Sequence, residues 1–245
     1  MEILNKSHFY NNNFIVFGHR GVPEELPENT IESFEKAIAL NYSGIELDVL
    51  KTADNKLIVH HDKAVDINNQ HQEIKKIKYS QLLKNNPSIP TLEQVLDVVG
   101  HRTNVNIEIK NQGVESFEVV KNTIEMLKKL NLIENIVISS FSSQLIKESK
   151  KIDDRFVTAW ILGPKNIRFY SYWKTLLKQI KVNALHVHHK NISAQLVRKI
   201  HSYKIKILSY TVNSETILKS LVSKKIDGIF TDSPKILDAS RRLIP

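Results

Sequence analysis

The chain has 245 residues, 41% of them hydrophobic and 25% charged, with no cysteine; this is typical of a soluble globular protein and excludes a disulfide framework. The formal net charge is +9, but the lysines are scattered, and without a basic block we expect no nucleic-acid partner. No apolar run reaches about 18 residues, so we expect no transmembrane segment, and Met1–His8 lack the apolar core of a signal peptide, which favours a cytoplasmic protein.

Short apolar runs alternate with amphipathic stretches along the sequence, which is typical of repeated βα units. Eight runs predict parallel strands at Phe14–Gly18, Gly44–Leu50, Asn104–Lys110, Ile136–Ser140, Phe156–Leu162, Ala184–Val187, Ile205–Val212 and Gly228–Thr231. Helices are predicted between them at Thr30–Leu40, Leu92–Val99, Ser116–Leu130, Ser143–Lys150, Tyr170–Ile180, Ala194–Tyr203, Glu215–Val222 and Pro234–Arg241. The pattern predicts an α/β protein, a single (β/α)₈ TIM barrel formed by one domain over residues 1–245.

A ninth apolar run, Leu57–His61, exceeds the count of eight and is assigned to a short excursion after the second strand. Residues Asp62–Ser88 are polar and weakly patterned, so we expect only a helical turn there, at Tyr79–Leu83. Before the first helix, either Asn29 or Thr30 can cap the exposed N–H groups.

Glu46 and Asp48 form a carboxylate pair inside the apolar strand Gly44–Leu50. Because side chains alternate between the faces of a strand, both carboxylates point the same way, opposite to the apolar residues around them. Glu108 lies on the polar face of a later strand. Buried like charges are unfavourable without a cation between them, and oxygen ligands suit Mg²⁺ or Ca²⁺. These three carboxylates are candidate metal ligands, with a structural salt-bridge network as the alternative.

Histidines follow two apolar runs at the point where a strand gives way to a loop. His19 follows the first strand, and His60 and His61 follow the excursion run. Histidine titrates near neutral pH and is the commonest side-chain acid or base. Arg20 can hold a phosphate in a bidentate way, and Lys110 can add a point charge. This set of groups suits the cleavage of a phosphodiester.

Residues 18–62 resemble the N-terminal signature of the glycerophosphodiester phosphodiesterases, a family within the phosphatidylinositol phospholipase C-like phosphodiesterase superfamily. In chain order, the signature consists of the motif His-Arg-Gly, the motif Pro-Glu-Asn-Thr (PENT), a helix, a strand with the pattern Glu-x-Asp, and the dipeptide His-Asp (HD). Further matching motifs follow in order at Ile89–Leu92, Asn106–Lys110, Ser140–Phe141, Thr211–Asn213 and Asp227–Asp232. The resemblance covers about residues 14–237, nearly the whole chain.

The resemblance implies an enzyme that hydrolyses glycerophosphodiesters to sn-glycerol 3-phosphate and an alcohol such as choline or ethanolamine. It implies one divalent cation, Mg²⁺ or Ca²⁺ or else Mn²⁺, bound by Glu46, Asp48 and Glu108. The expected partner is therefore a small-molecule substrate.

The resemblance also implies roles for the basic side chains. His19 and His61 would serve as general acid and general base, in an order that the sequence leaves open. The catalytic histidine directly precedes the Asp of the HD motif, which selects His61 over His60. Arg20 and Lys110 would stabilise charge on the phosphoryl oxygens.

Two departures from the family pattern concern substrate choice. Tyr210 stands where the family usually has Trp, so we expect it to line the pocket beside the substrate and to offer a hydroxyl. After Asp62 the chain lacks the Arg-Thr-Thr stretch that often follows the HD motif. Two other functions stay open: a lysophospholipase D or sphingomyelinase D-type phospholipase, and an inactive phosphate-binding barrel.

Several remaining polar residues receive structural interpretations. Asp62 is expected to orient its loop or a histidine. Asp232, before Ser233 and Pro234, is expected to cap the last helix. Three histidines near the sixth strand are expected to make rim or substrate contacts rather than to bind a metal: His186, His188 and His189.

Overall fold

The computed structural model describes residues 14–164 and 170–244, so the prediction made from Met1–His8 lies outside the described residues. The strands are β1 (Ile15–Gly18), β2 (Gly44–Lys51), β3 (Leu57–Val59), β4 (Ala64–Ile67), β5 (Gln70–Glu73), β6 (Asn104–Ile109), β7 (Ile136–Ser140), β8 (Val157–Leu162), β9 (Ala184–His188), β10 (Lys206–Tyr210) and β11 (Gly228–Thr231). The helices are α1 (Ile31–Ala39), α2 (Tyr79–Asn85), α3 (Leu92–Val99), α4 (Ser116–Lys129), α5 (Ser143–Ile152), α6 (Tyr170–Ile180), α7 (Ala194–His201), α8 (Glu215–Ser223) and α9 (Pro234–Leu243). Over these ranges, no helix has the length and apolar character needed to cross a bilayer.

Eight parallel strands close into a barrel. The order of neighbours runs from β1 through β11, β10, β9, β8, β7 and β6 to β2, and β1 also pairs with β2, which closes the circle. Helices follow the strands and cover the outside, as in other barrels of this type. The predicted (β/α)₈ TIM barrel is confirmed.

The strands bury apolar side chains on both faces, as parallel strands do. On β2, Ile45, Leu47 and Val49 belong to the large core between the sheet and the helices. A smaller apolar cluster fills the barrel interior, where the rings of Phe17 and Phe230 stack with centroids 4.9 Å apart. This interior packing leaves the C-terminal ends of the strands for polar side chains.

The excursion after β2 has more structure than expected. Its first part, β3, pairs antiparallel with the end of β2 and lies outside the ring of eight strands. The prediction of only a helical turn between Asp62 and Ser88 was wrong, because β4 and β5 form a hairpin ahead of α2. Asn68 and Asn69 both have positive φ, 50° and 61°, as a two-residue hairpin turn requires.

Candidate active site

The predicted site residues meet at one end of the barrel. Seven of the eight side chains line a single cavity of about 190 Å³: His19, Arg20, Glu46, His61, Glu108, Lys110 and Tyr210. The eighth, Asp48, is buried beside them and is 1% exposed. His19, Arg20, Glu108, Lys110 and Tyr210 lie at or just after the C-terminal ends of their strands, where barrel enzymes carry their active sites. Glu46 and Asp48 lie within β2, whose last residues extend beyond the barrel to pair with β3.

Three carboxylates converge in this cavity. Asp48 on β2 lies opposite Glu108 on β6 in the strand register, and Glu46 is the preceding inward position on β2. One oxygen of each carboxylate lies within 4.8 Å of the others, and all three residues are buried. Among the residues described, this is the group of acidic or imidazole side chains that could hold a metal ion.

Two cationic side chains reach the same carboxylates. Lys110 Nζ lies 2.8 Å from Asp48 Oδ1 and 2.9 Å from Glu108 Oε1. Arg20 Nε lies 3.4 Å from Asp48 Oδ2. Burial alone would raise the pKa of Asp48, but the charges of Lys110 and Arg20 hold that pKa below its usual value. Part of the salt-bridge network considered as an alternative is therefore present.

Glu46 is the carboxylate that this network does not neutralise. Its Oε2 accepts the backbone N–H of Arg20 at 3.0 Å, and no lysine or arginine nitrogen in the described ranges forms an ion pair with it. Burial, followed by repulsion from Asp48, raises the pKa of Glu46, and burial likewise raises that of Glu108. A further positive charge would favour the ionised form of both carboxyls, so the donor set fits a hard divalent cation.

The PENT segment supports the site from the loop before α1. Glu28 accepts two bonds from Arg20 Nη1, at 2.9 and 3.0 Å. Asn29 has a positive φ of 58° and donates from Nδ2 to Asp48 Oδ2 at 2.9 Å. Of the two candidates for the helix cap, Thr30 is the one that accepts the Ser33 N–H. Sequence reasoning missed the contacts of Glu28 and Asn29 with the site.

His19 is held by Asp232, which does not cap the last helix as predicted. The N-cap residue of α9 is Ser233, and Asp232 Oδ1 instead lies 2.7 Å from His19 Nδ1. Asp232 Oδ2 accepts from Asn213 Nδ2 at 2.5 Å. Burial lowers the pKa of His19, but the bond with Asp232 and the charge of Glu46 more than compensate, so the pKa is raised overall. In the sequence, the matching motifs at Thr211–Asn213 and Asp227–Asp232 were the features from which this contact could have been predicted.

His61 has a similar carboxylate neighbour. Its Nδ1 lies 2.7 Å from Asp62 Oδ1, in line with the orienting role expected for Asp62. Burial and the nearby charge of Lys110 lower the pKa of His61. His60 is absent from the cavity lining, and its backbone N–H donates to the Asp48 carbonyl at 3.0 Å. His19 and His61 thus have pKa values displaced in opposite directions.

Comparison with known proteins identifies the family. Residues 19–236 match the glycerophosphoryl diester phosphodiesterase family. The chain belongs to this family. A glycerophosphodiester phosphodiesterase of Caldanaerobacter subterraneus is 31% identical, with 91% of this chain and 96% of the relative covered. One of Bacillus altitudinis is 30% identical, with 89% and 94% covered.

Solved structures of the family share the fold. A glycerophosphodiester phosphodiesterase of Thermotoga maritima superposes with a TM-score of 0.79 at 27% identity, covering 92% of this chain and 97% of that one. A phosphodiesterase of Oleispira antarctica, in complex with the product sn-glycerol-3-phosphate, superposes with a TM-score of 0.84 at 23% identity, covering 95% and 99%. The protein is therefore a phosphodiesterase of this family, and it has the closed barrel of its relatives.

Tyr210, which was expected to line the pocket, lies in the cavity wall. Its ring meets that of Phe141 edge-on, with centroids 6.2 Å apart, and that of His188 at 5.7 Å. The hydroxyl expected to be available to substrate donates to the Leu162 carbonyl at 3.0 Å. The ring rather than the hydroxyl is therefore presented to the cavity.

The three histidines near the sixth strand separate into two groups. His188 and His189 are partly exposed, and their rings stack with centroids 4.4 Å apart. His186 instead lies inside the barrel, only 2% exposed, with its ring against Phe230. Of the two alternatives expected for these histidines, rim or substrate contacts, the rim position is wrong for His186, because on β9 it faces inward one position below His188.

Proposed function

We propose that the protein hydrolyses glycerophosphodiesters to sn-glycerol 3-phosphate and an alcohol such as choline or ethanolamine, with one divalent cation. The observation that carries this proposal is the convergence of three buried carboxylates in a cavity lined by His19 and His61, each held at Nδ1 by an aspartate. The product found in the structurally similar Oleispira antarctica enzyme supports the same product here. Residues 1–245 would form one catalytic domain.

Glu46, Asp48 and Glu108 would hold the cation, Mg²⁺ or Ca²⁺ or else Mn²⁺, through carboxylate oxygens. When bound, the cation would supply Lewis-acid chemistry: it would polarise a non-bridging phosphate oxygen and lower the pKa of the attacking hydroxyl. Asn29 keeps Asp48 in place through its bonds to the side chain and the backbone N–H. Lys110 and Arg20 balance the remaining carboxylate charge and stabilise the charge that develops on the phosphoryl oxygens.

The two histidines would transfer protons on opposite sides of the phosphorus. In each ring the aspartate contact engages Nδ1 and leaves Nε2 for the reaction, because the occupied nitrogen fixes the tautomer. The raised pKa of His19 favours its protonated form, and the lowered pKa of His61 favours its neutral form. His61 would therefore accept the proton of the attacking hydroxyl, and His19 would protonate the departing alcohol. If water attacks, sn-glycerol 3-phosphate forms directly; if the neighbouring glycerol hydroxyl attacks, a cyclic phosphate forms and a water molecule then opens it.

A coupled assay for released sn-glycerol 3-phosphate tests this function. Glycerophosphocholine and glycerophosphoethanolamine should both be cleaved in the presence of Mg²⁺, Ca²⁺ or Mn²⁺, and excess chelator should stop the reaction. Faster turnover of lysophosphatidylcholine would support a phospholipase instead. No turnover of any diester with any of these cations would support an inactive phosphate-binding barrel.

A further inference from the structure

Cations collect at the end of the barrel opposite the cavity. Because β9, β10 and β11 are parallel neighbours, the segments that precede them meet at the N-terminal end of the barrel. These segments, residues 178–183, 198–206 and 220–226, contain no aspartate or glutamate. Lysines that are scattered along the sequence are therefore brought together by the fold. Six cations from these segments form what we call the basic face: Lys178, Lys181, Arg198, Lys204, Lys224 and Lys225.

The side chains of the basic face are accessible and have no carboxylate partner. Lys224 is partly exposed, and the other five residues are exposed. Within the described part of the chain, none of the six forms an ion pair. The acid that follows the third segment, Asp227, is engaged by Lys206 Nζ at 2.9 Å and by His201 Nε2 at 2.7 Å. The charge of the face is thus left for a partner outside the chain.

The positive charge continues from Lys181 onto α5. Lys181 borders a second cavity of about 580 Å³. Its lining contains three further lysines and two aspartates: Lys147, Lys150, Lys151, Asp153 and Asp154. Asp153 is bound by Arg155 Nη2 at 2.6 Å, so lysines dominate the charge of this lining.

Three lysines of the face hold a backbone conformation that favours other residues. Lys181, Lys204 and Lys225 follow α6, α7 and α8 with positive φ of 57°, 59° and 64°. Glycine or asparagine adopts this left-handed conformation more readily. Asn41 and Asn131 occupy it after α1 and α4. Lysine in three successive turns therefore adds charge that the turns themselves do not require.

The helix dipole accounts for only part of this charge. Cations in the last turn of a helix complement its dipole, and the effect falls off beyond that turn. Lys204 lies three residues beyond the end of α7, and Lys225 lies two residues beyond the end of α8. The positions of these lysines therefore have a reason other than the stability of the helices.

The composition of the basic face favours a lipid surface as its partner. Proteins that bind single-stranded nucleic acid stack the bases on aromatic rings, and those that read a duplex place a helix or a β-ribbon in a groove. The face consists of turns and helix ends, and the tyrosine of its segments, Tyr203, packs against the core. A bilayer that contains anionic lipids is attracted by lysine and arginine side chains near its surface, without any groove or ring.

We propose that the basic face docks the protein on an anionic lipid surface, with the active-site cavity turned towards the water. The two ends of the barrel are then used separately, because the cavity lies at the C-terminal ends of the strands. Docking itself does not depend on the proposed function, but the proposed function gives it a purpose. A glycerophosphodiester is what remains when both acyl chains of a phospholipid are hydrolysed, so a deacylation reaction at such a surface would supply the substrate.

The test is sedimentation of the protein with vesicles made from equal parts of phosphatidylglycerol and phosphatidylcholine. The variant carries Lys181→Asn, Lys204→Asn and Lys225→Asn together, because asparagine fits the left-handed turns. Partition onto these vesicles at low ionic strength should weaken roughly 100-fold, as the loss of three lysines near an anionic surface gives. Binding of the wild type should fall as salt is added, and vesicles of phosphatidylcholine alone should bind little protein.

A matched control removes the same charge elsewhere. Lys56→Asn, Lys84→Asn and Lys235→Asn change three exposed lysines that follow the C-terminal ends of β2 and β11. This control should bind anionic vesicles like the wild type. In solution without vesicles, both triple variants should cleave glycerophosphocholine at the wild-type rate, which shows that they are folded.

The outcomes separate docking from its alternatives. Equal losses in the two triple variants would indicate attraction by net charge alone and would overturn the docking face, as would a wild type that binds neutral and anionic vesicles equally or binds neither. Tighter binding to duplex DNA than to vesicles at the same salt concentration, lost with the three turn lysines, would instead assign the face to nucleic acid. Docking through this face by a protein that cleaves no glycerophosphodiester would support the inference and refute the proposed function.

Discussion

The contact between His19 and Asp232 predicts how Asp232→Asn will change the pH dependence of the enzyme. In the wild type, one oxygen of Asp232 contacts His19 and the other accepts from Asn213. Asparagine has only one side-chain oxygen, so in the variant either His19 or Asn213 loses its hydrogen-bond acceptor. A hydrogen bond to a charged group contributes about 1.5–3 kcal/mol. Since about 1.4 kcal/mol corresponds to a factor of ten, kcat/KM should fall roughly 10- to 150-fold.

The direction of the pH effect follows from the role proposed for His19. Asp232 raises the pKa of His19, so its neutralisation lowers that pKa. The protonated form, which the general acid requires, is then lost at a lower pH, and the basic limb of the kcat/KM profile should move to lower pH. The measurement is kcat/KM for glycerophosphocholine between about pH 5 and 10 with saturating cation.

Asp62→Asn is the matched control, because Asp62 contacts His61 in the same way. It should move the acidic limb and leave the basic limb in place. Asp62 is 74% exposed at its side chain and Asp232 only 25%, so the control should have the smaller effect on rate. A basic limb that responds to Asp62→Asn and not to Asp232→Asn would refute the assignment of His19 as the acid.

Three further predictions follow from the site. Chelation should abolish activity, and Glu46→Gln should weaken cation binding in a calorimetric titration with little change in melting temperature; full activity in excess chelator would exclude the metal site. His19→Ala and His61→Ala should each lower kcat by roughly 10²–10⁴-fold, and His60→Ala much less, so an equal loss with His60→Ala would reverse the choice between the neighbours. Tyr210→Phe should cost about 1 kcal/mol in unfolding free energy, because the hydroxyl bonds a backbone carbonyl, with little change in KM. Tyr210→Ala should raise KM while cation affinity stays constant, and a large KM effect of the Phe variant would show that the hydroxyl reaches substrate.

Local patterns in the sequence were sufficient to predict the barrel and the carboxylates of the cavity, whereas the choice of His61 over His60 depended on the family resemblance. Strand alternation placed Glu46 and Asp48 on one face of β2, because the side-chain period of two is a property of the extended backbone. The position of His19 at the end of an apolar run placed it at the C-terminal end of β1 by the same local reasoning. The hairpin of β4 and β5 was missed, although its Asn68–Asn69 turn is also a local signal.

The contacts between distant parts of the chain were decided by the tertiary structure alone. Asp232 lies 213 residues from His19, and the two meet only because β11 closes the barrel against β1. The same closure directs the Tyr210 hydroxyl to Leu162. Periodicity specifies which face a side chain occupies, whereas the partner of a polar atom depends on which strands become neighbours and in what register.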